Sequence, residues 1–142
     1  MRVLGLDVGD RRIGVALSDE TGTLASGLDT ITRVGPRQDL NTIAELVRAH
    51  GATEVVVGLP LNMDGSVGPQ AEKIHQLIDG LRKRVSVPVQ AWDERLTTVE
   101  AHEQLRKAGV SWSQRAALID KVSAVIILQE YLDQRRARGS KG

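Results

Sequence analysis

The sequence predicts an α/β protein built on a mixed five-stranded sheet, three antiparallel strands followed by parallel ones, with helices on both faces. Three features of the pattern predict it. The first 32 residues hold three short apolar runs joined by tight turns. Residues 38–93 then alternate helical and strand periodicity, and one long apolar helix closes the chain.

The elements follow in order. Arg2 to Val8 reads as a strand, Arg11-Arg12 as a turn, Ile13 to Ser18 as a second strand, and Ala25 to Thr32, after Thr21-Gly22-Thr23, as a third. Tight turns between short strands make an antiparallel meander. Gln38 to His50 places Leu40, Ile43, Ala44 and Val47 at helical spacing, and Gly51 stops that helix before a strand from Glu54 to Leu59. Pro60 to Gly68 is a loop, Pro69 to Arg84 a helix bearing Ile74, Leu77, Ile78 and Leu81, and Val87 to Asp93 a strand. Strand, helix, strand implies a right-handed parallel crossover. Thr97-Thr98-Val99-Glu100 fits a capping box opening a helix to about Lys107, closed by Gly109, with a break at Val110 to Ser113. The last helix is expected from about Ile119 or Asp120 to Arg136, with Val122, Val125, Ile126, Ile127, Leu128, Tyr131 and Leu132 forming a wide buried surface. The arrangement is ribonuclease H-like.

A chain of 142 residues suits one domain, 1–142, with a basic and flexible tail over about 134–142. Composition is that of a globular protein, and no apolar stretch approaches the roughly 20 residues that span a bilayer. A strand begins almost at Met1, without the pattern of a secretory signal, so a cytoplasmic location and no membrane partner are expected. With no cysteine, thiolate nucleophiles and thiolate metal sites are excluded; any metal needs oxygen or imidazole ligands, and oxygen favours Mg²⁺ or Mn²⁺. The last ten residues hold four basic groups against Asp133, net +3 in a chain of net +1, so the rest is −2. Such a tail is suited to phosphate contact, although many are simply solvated ends.

Three carboxylates stand where elements begin or end: Asp7 in the first strand, Glu94 after the fifth, Asp120 at the start of the last helix. In parallel α/β sheets functional groups gather at the carboxyl ends of strands. If these three converge there, they offer oxygen ligands to a divalent cation able to activate water against a phosphodiester. Each has a plainer reading: Asp7 as a turn opener, Glu94 as a surface ion-pair member beside Arg95, and Asp120 as an N-cap. His50, His75 and His102 show no ligand spacing.

The segments Gly5-Leu6-Asp7-Val8-Gly9 with Arg12-Ile13-Gly14-Val15-Ala16, Val57 to Gly65, Asp93 to Ala101, and Asp120 to Leu128 closely resemble the YqgF/RuvX family, in order and over nearly the whole chain. The resemblance implies a ribonuclease H-like nuclease acting on nucleic acid, either a 16S rRNA precursor or branched DNA. It also implies that Asp7, Glu94 and Asp120 are the metal-binding, catalytic positions. Substrate contacts are expected from Arg11, Arg12, Asn62, Arg95, Thr98 and Lys121, with Thr97 as the plainer helix cap. Trp92 is expected in the core and Trp112 exposed for stacking. A junction resolvase would work as a homodimer making paired cuts.

Two rivals belong to other classes. The Asp-x-Gly turn also opens actin-like and sugar-kinase ATPases, but Asp10 would face the nucleotide phosphates with like charge, and the chain is too short for the second domain that closes over the nucleotide. A nucleic-acid-binding module without catalysis gives no reason to gather carboxylates near a polyanion.

Overall fold

The computed structural model describes residues 1–94 and 103–139, the side chains of 112–117 and 139 excepted. β1 (Arg2–Val8), β2 (Arg12–Ser18) and β3 (Ala25–Thr32) form the meander, followed by α1 (Pro36–Ala49), β4 (Ala52–Leu59), α2 (Pro69–Arg82), β5 (Val89–Asp93) and α3 (Trp112–Gly139). Residues 103–107 are also helical, and Gly109, at φ 79°, follows them as expected of a glycine stop. The sheet order is β3-β2-β1-β4-β5. β2 is antiparallel to both β1 and β3, whereas β4 is parallel to both β1 and β5. The carboxyl ends of β1, β4 and β5 therefore share one edge.

The central strands β1 and β4 are buried almost throughout, which is why they read as unbroken apolar runs rather than as alternations. α1 and α2 cover one face, where Ile43, Ile74 and Ile78 pack on Leu4, Leu6, Ile13, Val55 and Val57. α3 covers the other, where Ala124, Ile127, Leu128 and Leu132 pack on Val3, Ala16 and Val56. Near its C-terminal end α3 is tied to β4 through buried Glu54, which accepts from Tyr131, from Arg135 at 2.6 Å and from Gln90 at 2.7 Å.

Several expected boundaries are corrected. α3 does not start at Ile119 or Asp120 but at Trp112, so the break before it is confined to residues 110–111 and Asp120 lies more than two turns inside the helix. An N-cap role for Asp120 is thereby excluded, because an interior carboxylate has no free backbone donors within its reach. α2 ends at Arg82 rather than Arg84, β5 starts at Val89 rather than Val87, and α3 runs on to Gly139 rather than Arg136, so residues 134–139 of the expected flexible tail are helical.

Candidate active site

Asp7 lies on the α3 face of β1, opposite Gly14 of β2, one residue before the strand ends. Glu94 follows the last residue of β5, and its backbone N–H donates to the carbonyl of Leu59 at 3.2 Å, which holds it against the end of β4. Its carboxylate lies over Gly58: a Cβ built there would stand 2.7 Å from Glu94 Oε2. Asp7, Glu94, Val8, Gly9, Pro60, Leu61 and Gln70 line one cleft at the carboxyl edge of the sheet.

Both carboxyls titrate far above their ordinary range. Burial raises Asp7 to about 6, aided by the nearby charge of Asp120 and opposed by a hydrogen bond with Glu94. Burial likewise raises Glu94 to about 8, helped by the charge of Asp7, their shared hydrogen bond and the charge of Asp93. Two buried acids that share a proton lower their energy by keeping it or by gaining a cation.

Asp120 reaches the same edge because β2 carries no side chain beneath it. A Cβ at Gly14 would lie 2.0 Å from the Asp120 carbonyl oxygen, and a Cβ at Gly58 would lie 2.6 Å from Ile127 Cδ1. Alanine at Gly14 would have to push back the helix backbone, whereas at Gly58 it would displace the tip of Ile127 and the Glu94 carboxylate. Asp120 Oδ2 accepts from Arg12 Nε at 2.7 Å, an ion pair whose arginine is half-exposed. As placed, the acids among the described residues do not form a three-ligand cluster, since Asp120 is turned to Arg12.

Ser123, one turn beyond Asp120, is buried, and its Oγ has no hydrogen-bond partner. It stands on the helix stripe between Asp120 and Ile127, which cover the glycines on either side of Asp7. A buried hydroxyl left without a partner on the helix that covers Asp7's strand, together with two buried acids that share a proton, fits a site that takes a hydrated divalent cation. The donor set, all oxygen with no cysteine, fits Mg²⁺ or Mn²⁺.

The remaining expected contacts divide. Arg11 is exposed at the β1–β2 turn, which Gly9 N–H closes onto the Arg12 carbonyl at 2.8 Å. Asn62 is committed to its own loop, donating to Ser66 Oγ at 2.9 Å, while Ser66 in turn donates to Asp64. Lys121 lies across β3, its stem where a Cβ on Gly27 would be, and so points away from the acid pair. Arg95, Thr98 and the expected cap at Thr97 lie outside the described residues, as does the Trp112 side chain. Trp92 is half-buried against Tyr131, as expected of a core residue. Gly14, Gly58 and Ser123 were not foreseen as site residues; the readable signal was glycine inside two otherwise apolar strands.

Comparison with known proteins is consistent along the whole chain. A family profile described as "RuvX: Holliday junction resolvase" matches residues 1–134. A protein named "Putative pre-16S rRNA nuclease" from Halothermothrix orenii is 53% identical over 94% of this chain and 95% of its own length. One of the same name from Moorella thermoacetica is 50% identical over 98% and 99%. Among solved structures, T. thermophilus RuvC in complex with a Holliday junction substrate superposes with a TM-score of 0.60 at 18% identity, covering 96% of each chain. Fowlpox virus resolvase with its junction DNA gives 0.57 at 12% identity, covering 94% of this chain and 98% of that one. At such identities these two establish the ribonuclease H-like fold alone.

Proposed function

The chain belongs to the RuvX family and is a hydrolase of phosphodiester bonds; from that premise we propose that it trims the 16S rRNA precursor with the help of Mg²⁺ or Mn²⁺. The observation that carries the metal reading is the proton-sharing pair Asp7 and Glu94 at the carboxyl edge of the sheet. A divalent cation bound there supplies water of lowered pKa and neutralises charge on the leaving oxygen.

The chain's own residues do the rest. Asp7 and Glu94, freed of their shared proton, would hold the cation through oxygen. Asp120, if parted from Arg12, would be the third oxygen ligand, and the half-exposed Arg12 guanidinium would then be open to the substrate phosphate. The Arg12–Asp120 pair thus keeps an acid and a phosphate clamp aligned before substrate arrives. Arg11 extends that clamp at the turn, and Asn62 stiffens the loop that borders the cleft. Arg95 and Thr98 are proposed as further phosphate donors beside Glu94, and Lys121 as a contact to backbone entering across β3.

RNA is favoured because the relatives that cover nearly the full chain carry the rRNA nuclease name. The description of the family favours the second reading, cleavage of four-way DNA junctions by a homodimer. A cytoplasmic location follows from the RNA reading, and no described helix is long and apolar enough to cross a membrane. The test compares cleavage of a 16S precursor and a four-way DNA junction with Mg²⁺ or Mn²⁺, using Asp7→Asn as the blank. Asp7-dependent cutting of the precursor alone is expected; cutting of the junction alone transfers the assignment to DNA. Equal cutting by Asp7→Asn would sink the metal mechanism.

A further inference from the structure

We propose that the cavity between α1 and α2 receives one unpaired nucleobase flanking the scissile phosphate, so that this site selects substrates by a base turned out of its helix. The inference rests on the nuclease reading above.

The cavity measures about 260 Å³ and lies under the β1–β2 turn, on the sheet face opposite α3. Val8, Leu40, Ile74 and Leu77 give it aliphatic walls, whereas Asp10, Gln70, Lys73 and Gln76 supply polar groups around them. A cavity of ~150 Å³ takes a benzene ring, so this one has room for a nucleobase. Walls of this kind suit a flat heterocycle. A phosphate would gain Lys73 alone, against aliphatic carbon and the carboxylate of Asp10, because Arg33 is already engaged by Asp39 and the Gly9 carbonyl. A base instead finds apolar surface for its faces and amide, ammonium and carboxylate groups for its edge, the way unstacked bases are read.

Location makes the cavity part of the same substrate path. Val8 and Gln70 line both this cavity and the cleft that holds Asp7 and Glu94, so the two adjoin across the carboxyl end of β1. A strand whose phosphate lies at Asp7 can pass over Gly9 and place its next base beneath the turn. The wall is fixed for that purpose: Arg33 donates to Asp39 at 3.1 Å and to the Gly9 carbonyl at 2.9 Å. Gln70, Lys73 and Gln76, by contrast, make no side-chain hydrogen bond or ion pair to other described residues. Their polar ends are available to a ligand.

Two measurements test this. In the first, methyl NMR of Leu40, Ile74 and Leu77 follows titration with the four nucleoside monophosphates and, separately, with ribose 5-phosphate. Saturable shifts with nucleotides and none with ribose 5-phosphate are expected; no shift with nucleotides, or equal shifts with both, overturns the proposal. In the second, cleavage with Mg²⁺ or Mn²⁺ is compared for a hairpin RNA with one unpaired nucleotide beside the cut and for the same RNA abasic at that nucleotide. Wild type should cut the abasic RNA at least tenfold more slowly. Leu77→Trp, which fills the cavity, should cut both at the slow rate. Gln76→Ala, at an exposed position that leaves the core intact, should narrow the preference several-fold. Equal cutting of both RNAs by wild type overturns the base pocket and leaves the nuclease reading standing. If neither RNA is cut while nucleotides still shift the methyls, the nuclease reading fails and the base site survives it.

Discussion

On the face covered by α1 and α2 the strands present Leu4, Leu6, Ile13, Val55 and Val57, whereas the rows under α3 hold Gly5, Gly14, Gly27 and Gly58 together with Asp7. Large side chains on the first face keep its helices at a normal distance and bury apolar area. Glycines on the second let the backbone of α3 sink to the strands, so that Leu128 Cβ would stand 2.8 Å from a Cβ on Gly5, and the Asp120 carbonyl closer still to one on Gly14. The comparison teaches that the larger apolar core and the buried acids lie on opposite faces. One side presents large aliphatic side chains to its two helices, and the other is cleared by glycine so that a helix can bring an acid to the sheet edge.

The largest effect on stability should come from the filled face. Ile43→Ala empties a fully buried position in α1 and should cost about 2–5 kcal/mol in chemical denaturation, with cleavage per folded molecule unchanged. A loss of specific activity there would break the division. Gly14→Ala should cost less, about 1–3 kcal/mol, because the helix can shift to relieve the clash. That shift carries Asp120 away, so specific activity should fall at least tenfold in the folded fraction; an active, merely destabilised variant would refute the clearance role.

A third prediction follows from the acid pair. A carboxyl whose pKa is higher in the folded chain binds its proton more tightly there. The resulting stability is complete below the unfolded values near 4 and is lost as pH rises through about 6 for Asp7 and about 8 for Glu94. Without divalent cations, Tm should therefore fall by several degrees between pH 5 and pH 8.5. Mg²⁺ or Mn²⁺ should raise Tm more at pH 8.5 than at pH 5, and Asp7→Asn should flatten both trends. The smallest effect belongs to the ion pair at the edge. Arg12→Ala should change stability by no more than about 1 kcal/mol. It frees Asp120, so calorimetry should show Mn²⁺ bound as much as about fivefold tighter, while the KM for nucleic acid rises.

Most elements were legible because their periodicities are clean: β3 runs over Ala25–Thr32 as expected, and α1, β4 and α2 differ only at their ends. The start of α3 was hidden because residues 112–118 lack the apolar stripe that follows, and Asp120 before that stripe imitates a cap. The three acids were identifiable as residues out of place, but their relations were not. Arg12 and Asp120 meet across 108 positions of sequence, and no local pattern encodes such a contact. The clearance glycines were equally silent, since their meaning lies in the helix that approaches them.

The edge-on contact of Trp92 with Tyr131, ring centroids 5.6 Å apart, gives the molecule a built-in optical reporter. Trp92 precedes Glu94 by two residues on β5, and its indole N–H donates to Glu130 of α3 at 3.2 Å. Any lift of α3 from the sheet alters the surroundings of this indole. Emission from Trp92, isolated by replacing Trp112, would then report the seating of α3 in real time, with no label attached.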